Sequence, residues 1–150
     1  MGATQKIIIY TDGGSRGNPG EAAFGFVIRD GAGHIIKKHG ERLGVKTNNE
    51  AEYSAVIFAL KKAKALFGKE KTKNTNVEVR MDSEFVCKQL NGEYKIEEER
   101  LFPLFVAVWN LKMNFAEVSF VHVLREKNKE ADRMVNEALD GDSASQPLFS

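Results

Sequence analysis

The sequence predicts one α/β domain built on a five-stranded mixed sheet, three antiparallel strands followed by parallel ones, flanked by helices. Three observations carry this expectation. Three strand-like runs follow one another with only turns between them; from residue 48 onward, runs with helical spacing alternate with strand-like ones; and the strand-like runs are short and rich in β-branched residues. At 150 residues with 42% hydrophobic content, the chain can bury one core and is too short for two ordinary domains.

Residues 6 to 12, KIIIYTD, are closed by Gly13 and Gly14, the pattern of a buried strand. The loop GGSRGNPG then leads to AAFGFVIRD at 22 to 30, and after a GAG turn HIIKKHGERLG at 34 to 44 is its antiparallel partner. NNEAEYSAVIFALKKAKALF at 48 to 67 has Asn at its start and neither Gly nor Pro inside, so a capped helix is expected. Residues 68 to 76 form a lysine-rich connection. VEVRMD at 77 to 82 alternates as a strand, and SEFVCKQL at 83 to 90 is a short helix begun by Ser83. A further helix is expected over 97 to 113, with Pro103 marking an early break. EVSFVHV at 117 to 123 is the last strand, and KEADRMVNEALD at 129 to 140 the last helix, capped by Asn128. The domain thus spans 1 to 140. The small polar tail at 141 to 150 is expected to be mobile, or to pack Leu148 and Phe149 onto the body.

Composition excludes several classes. Lys and Arg number 22 against 21 Asp and Glu, so a net charge of +1 gives no global field, and any charged partner must be met locally. A single cysteine, Cys87, rules out a disulfide framework and a cysteine zinc site, and reads as a small buried side chain. No run of 18 apolar residues exists and the N-terminal segment reads as a strand, so no membrane partner, a cytoplasmic location and a monomer are expected.

The acids are more informative. Asp12 and Asp82 each end an expected parallel strand, where ligands bind in open α/β sheets. Helical geometry selects a third: Glu52 heads the stripe Ala55, Val56, Ala59, Leu60, Ala63, which must face the sheet. Glu50 lies about 200° away around the helix and reads as a solvated first-turn acid. Asp132 sits beside the stripe Ala131, Met134, Val135, Ala138 of the last helix. Four convergent carboxylates with no cluster of basic side chains among them need a cation, and hard divalent ions take carboxylate oxygens. Mg²⁺-assisted phosphodiester chemistry is the physical expectation.

These strings, YTDGGSRGNPG, TNNEAEYSAVIFAL, VRMDSEFV and VHVLREKNKEADRMVNEAL, in this order over residues 6 to 140, resemble the type 1 ribonuclease H family in its handle-less variety. The resemblance implies a ribonuclease H-like fold and hydrolysis of the RNA strand of RNA/DNA hybrids to 5′-phosphate and 3′-OH products. It implies two Mg²⁺ ions, or Mn²⁺, held by Asp12, Glu52, Asp82 and Asp132, with Asp12 shared between them. His122 corresponds to the family's catalytic-loop histidine. The string VHVLREKN lacks the Gly and His that follow it in bacterial members, which leaves open that His122 is the last strand residue and Arg125 supplies the mobile polar contact. Thr47, Asn48 and Asn49, with Asn18 beside them, correspond to minor-groove and phosphate contacts, suited to reading a 2′-OH. Glu84 stands where many members have a neutral amide. His34 and His39 read as surface residues of an edge strand.

The basic handle of some bacterial members is absent, since Glu93, Glu97, Glu98 and Glu99 outnumber Lys95 and Arg100 in that region. Positive charge gathers instead in the lysine run of residues 61 to 73, which implies salt-dependent binding of nucleic acid or a solvated helix end. Two other readings fail. The glycine loop leads into a strand and lacks the Gly-Lys-Ser/Thr of a phosphate loop, and no Gly-x-Ser-x-Gly or paired Cys/His arrangement appears. A non-catalytic module binding RNA or hybrid duplex on the same fold is the alternative function.

Overall fold

The computed structural model describes residues 4 to 141. The tail readings at 142 to 150 fall outside the described residues. In order come β1 (Gln5–Arg16), β2 (Gly20–Asp30), β3 (Ile35–Lys46), α1 (Asn48–Lys73), β4 (Thr75–Met81), α2 (Glu84–Leu90), α3 (Phe102–Lys112), β5 (Glu117–His122) and α4 (Lys129–Asp140). Short 3-10 turns at Glu99–Leu101 and Arg125–Lys127 precede α3 and α4. The strands form one sheet in the order β3-β2-β1-β4-β5, antiparallel across β3-β2-β1 and parallel across β1-β4-β5. No described helix is long and apolar enough to cross a membrane.

Period-two alternation gives the sheet two unlike faces. On one, Ile7, Ile9, Phe24, Phe26, Ile28, Val77, Val79 and Phe120 form the large core with Tyr53, Val56, Leu60 of α1 and with Val86, Leu101 and Val108 of the following helices. On the other, Ala23, Val135 and Ala138 form a small cluster under α4. The register puts Asp12, Gly25 and Gly40 in one cross-strand row. α4 lies against that row: a Cβ on Gly25 would stand 2.7 Å from the Ala131 carbonyl oxygen, and one on Gly40 2.2 Å from that of Met134. Only glycine admits so close an approach. Arginines from three strands clasp the helix. Arg29 pairs with Glu130, Arg42 donates to the Ala138 and Leu139 carbonyls at 2.8 and 3.0 Å, and Arg16 pairs with Asp140.

The structure corrects several element boundaries. β1 does not stop at Asp12; Gly13 to Arg16 stay paired with β2, leaving only Gly17, Asn18 and Pro19 as a loop. α1 continues past Gly68, whose φ of 79° interrupts the helix without ending it, to Lys73. α3 starts at Phe102, because Pro103 suits a first turn, where its missing N–H costs nothing. Ser83 caps α2 as expected, its hydroxyl accepting from the Val86 amide at 3.2 Å.

Two capping expectations change. Thr47, not Asn48, caps α1: its hydroxyl accepts from the Glu50 amide at 3.1 Å while the Glu50 carboxylate accepts from the Thr47 amide at 2.9 Å. Glu50 is therefore engaged and mostly covered, with Arg100 at 3.9 Å, and Ser54 below it is buried. Asn128 makes no side-chain cap; it is buried, and its amide donates to the Thr11 carbonyl at 2.8 Å, tying the start of α4 to β1. His39 is not a plain surface residue, since its ring packs on Phe24 and Phe26 and bonds Glu41 at 3.0 Å. His34 is exposed as expected, and Cys87 is buried.

Candidate active site

The pairing of β1 with β4 ends at Thr11 and Met81, so the next residues, Asp12 and Asp82, emerge side by side where the two strands part. Glu52 reaches them from the first turns of α1 because Gly13 leaves no side chain in the way. A Cβ there would stand 2.3 Å from the carbonyl carbon and oxygen of Ala51. The Gly13 amide donates to Glu52 Oε1 at 2.5 Å and fixes the carboxylate at the strand. One carboxylate oxygen from each of Asp12, Glu52 and Asp82 lies within 4.8 Å of the others. Asp132 arrives from the opposite face on α4, adds to the negative field at Asp12, and is held by Asn136 Nδ2 at 3.3 Å.

These acids line a cleft of about 410 Å³ shared with Gly14, Ser15, Asn48, Asn49, Ser83 and Arg125. Asp12 and Glu52 are only 7% and 8% exposed. Burial, then the neighbouring Asp82 and Asp132, push the Asp12 carboxyl up from 3.8 to about 8, against the opposing Gly13 amide. Burial, Asp12 and Asp82 raise Glu52 well above the ordinary carboxylate range. The lining cations do little to offset this: Arg125 Nε stands 4.0 Å from Asp82 Oδ2 on a side chain 88% exposed, and Arg16 turns to Asp140. An all-oxygen donor set with uncompensated negative charge fits a hard divalent cation, and Asp12, Glu52 and Asp82 can hold one.

The charge burden sets a pH dependence. Between about pH 4 and pH 8 the folded protein retains a proton on Asp12 that the unfolded chain has released, so folding stability falls as pH rises through that window. Urea unfolding of the metal-free protein should show a lower midpoint at pH 8 than at pH 5. Mg²⁺ should recover much of the difference at pH 8, and a midpoint rising from pH 5 to pH 8 without metal would contradict the uncompensated cluster.

Of the other residues singled out in the sequence, Asn48, Asn49 and Arg125 line the cleft, while Asn18, Thr47 and His122 do not. Asn18 Oδ1 accepts from the Asn48 amide at 2.9 Å, and Asn48 Oδ1 accepts from the Ser15 amide and hydroxyl at 2.9 and 3.1 Å. The two asparagines thus join the β1-β2 turn to the start of α1 and edge the cleft. His122 is the exposed last residue of β5. Glu84 lies outside the lining and pairs with Lys88 at 3.7 Å. The lysine run lies at the far end of α1, Lys64 being roughly 18 Å along the helix from Glu52 and Lys69 to Lys73 lying beyond the interruption at Gly68. Sequence reasoning missed Asn136, which its spacing of four from Asp132 places on the same helix face, and Arg16, which no sequence signal singles out, while Ser83 reads in the sequence only as the start of a helix.

A family model described as "Reverse transcriptase-like" matches residues 10 to 138. The chain is 42% identical over 135 residues to ribonuclease HI of Halobacterium salinarum, covering 90% of this chain and 65% of that protein. The crystal structure of the same archaeon's RNase H1 superposes with a TM-score of 0.82, covering 90% of this chain and 98% of that one. The chain belongs to the ribonuclease H family. Another ribonuclease H relative, the LC11-RNase H1 isolated from compost and solved in complex with an RNA/DNA hybrid, is 47% identical with a TM-score of 0.85, over 89% of this chain and 96% of that one. The bifunctional protein Rv2228c of Mycobacterium tuberculosis is 36% identical over 142 residues, 93% of this chain and 37% of its own length. The chain thus spans about a third to two thirds of the length of these curated relatives of the ribonuclease H family.

Proposed function

We propose that the cleft hydrolyses the RNA strand of RNA/DNA hybrids to 5′-phosphate and 3′-OH products, with two divalent cations, Mg²⁺ or Mn²⁺, in a cytoplasmic setting. The observation that carries this reading is the convergence of Asp12, Glu52 and Asp82 from three separate elements, with Asp132 beside them, in an open cleft that leaves their charge unbalanced. The relative solved with a hybrid supports the substrate.

Asp12 sits between Glu52 on one side and Asp132 on the other, which suits it to share two ions. When bound, such ions polarise the phosphodiester, activate water and stabilise the departing oxygen. The protein supplies the rest. Gly13 N–H holds Glu52 in place, and Asn136 steadies Asp132. Asn48 and Asn49 offer amides along the cleft rim, able both to donate to and to accept from a 2′-OH in the shallow minor groove. Arg125, exposed beside Asp82, is placed to meet a phosphate, whereas His122 stands away from the lining. This favours Arg125 as the mobile polar contact.

Incubation of an end-labelled RNA/DNA hybrid with the protein tests the reading. Cleavage of the RNA strand alone is expected with Mg²⁺ or Mn²⁺ and none with EDTA. Hybrid binding without cleavage in either metal would favour the non-catalytic module instead.

A further inference from the structure

The helix α3 is unlike the others in what it turns to solvent. Its sequence FPLFVAVWNLK carries one charge, Lys112, and only Val108 is fully buried. Phe102, Val106, Trp109 and Met113 are 46%, 53%, 52% and 69% exposed. Their spacing of four, three and four puts them in one stripe along the outer face. By contrast, α4 presents Arg133, Glu137 and Asp140 outward, as a solvated helix does. A contiguous exposed apolar stripe on a soluble domain marks an interaction surface.

The two ends of the stripe carry opposite charge. Glu97 and Glu99, both exposed, precede Phe102, and Glu99 opens the 3-10 turn that leads into α3. At the other end Met113 shares a shallow recess with Lys64, Lys69 and Lys73 of α1. The lysine run that lies far from the acidic cleft therefore borders this stripe.

We infer that this face pairs with the same face of a second copy of the chain, α3 against α3, antiparallel about a two-fold axis. The pattern is self-complementary in that orientation. Phe102 then meets Met113 and Val106 meets Trp109, because both pairs share one midpoint between Ala107 and Val108. The acidic start of each stripe meets the lysine end of the other, while a parallel pairing would set like charges together. Half-exposed Phe102 and Trp109 alone offer on the order of 200 Å², and the four side chains roughly 400 Å² per copy. That is a small interface, which gives a weak, reversible dimer in place of the expected monomer. α3 contributes nothing to the lining of the acidic cleft, so pairing leaves both clefts intact.

Sedimentation equilibrium at low salt, from about 10 µM to about 1 mM, covers the range in which so small an interface associates. The average mass of the wild type should rise toward that of two chains. Trp109→Glu should hold the single-chain mass throughout, with circular dichroism and hybrid cleavage unchanged. Glu97→Lys with Glu99→Lys should weaken association by roughly threefold or more, and adding Lys64→Glu with Lys69→Glu should restore it. The charge reversal and its rescue decide the matter if Trp109→Glu fails to fold. A wild type that keeps the single-chain mass to the top of the range overturns the inference, as does a dimer indifferent to both sets of variants.

Discussion

Asp12→Asn is expected to reduce hybrid cleavage by at least about 10³-fold while making the metal-free protein more stable by roughly 2 kcal/mol. Both effects come from one position. Asp12 is the acid that Glu52, Asp82 and Asp132 all surround, and its carboxyl is pushed up to about 8 by burial and by two of those neighbours. An amide of the same shape cannot hold a divalent cation with full charge, so catalysis is lost. The same amide can donate to a neighbouring carboxylate without the proton that the native group must take up to do so, so folding gains. The stability figure is a fraction of what the full shift would amount to, since water and counter-ions enter the open cleft. Urea unfolding in EDTA beside hybrid cleavage in Mg²⁺ measures both. A variant that is inactive and also less stable would mean that Asp12 is held by favourable contacts, not crowded by acids.

Gly40→Ala should be damaging although Gly40 is remote from the cleft in sequence and absent from its lining. A Cβ there would stand 2.2 Å from the Met134 carbonyl oxygen, a backbone atom that cannot rotate away. The strand or α4 must shift, at a cost of about 1–3 kcal/mol. Asp132 lies two residues before Met134 on the same helix and moves with it. Misplacement on the ångström scale costs up to about 10²-fold in rate. The loss should be largest at limiting Mg²⁺ and partly recovered at high Mg²⁺, since Asp12, Glu52 and Asp82 keep their places. Gly31→Ala serves as a control, because the Cβ meets nothing nearer than the Lys6 carbonyl oxygen at 3.6 Å. Equal stability and activity of the two variants would remove the close-approach account of how α4 is seated.

Much of this site could be read in the sequence because it follows from local periodicity. Glu52 heads a stripe whose members Ala55, Val56, Ala59, Leu60 and Ala63 are all buried, and Asp12 and Asp82 stand where two neighbouring strands part. What escaped depends on contacts between distant segments. The string GGSR reads as loop because glycine is common there, yet Gly13 belongs to a strand and is small because α1 presses on it. Asn128 has the composition of a cap, but the nearby Thr11 carbonyl takes its amide. Gly68 reads as a helix end, and the chain resumes the helix after one residue of positive φ. The sequence places a helix over 97 to 113 without showing which of its many apolar residues are covered, and the structure buries Val108 and leaves Phe102, Val106, Trp109 and Met113 on the surface.

The unequal packing of the two sheet faces divides the acids by the element that carries them. Asp12, Glu52 and Asp82 ride on β1, α1 and the end of β4, elements knitted into the large core. Asp132 rides on α4, which rests on a small cluster of Ala23, Val135 and Ala138 and is clasped by arginines at or near the surface. Segments with few buried apolar contacts open at lower free energy than the body of the fold. The cleft thus takes three carboxylates from elements anchored in the large core and the fourth from the helix with the smaller apolar contact, so the position of Asp132 depends on how firmly that one helix is seated.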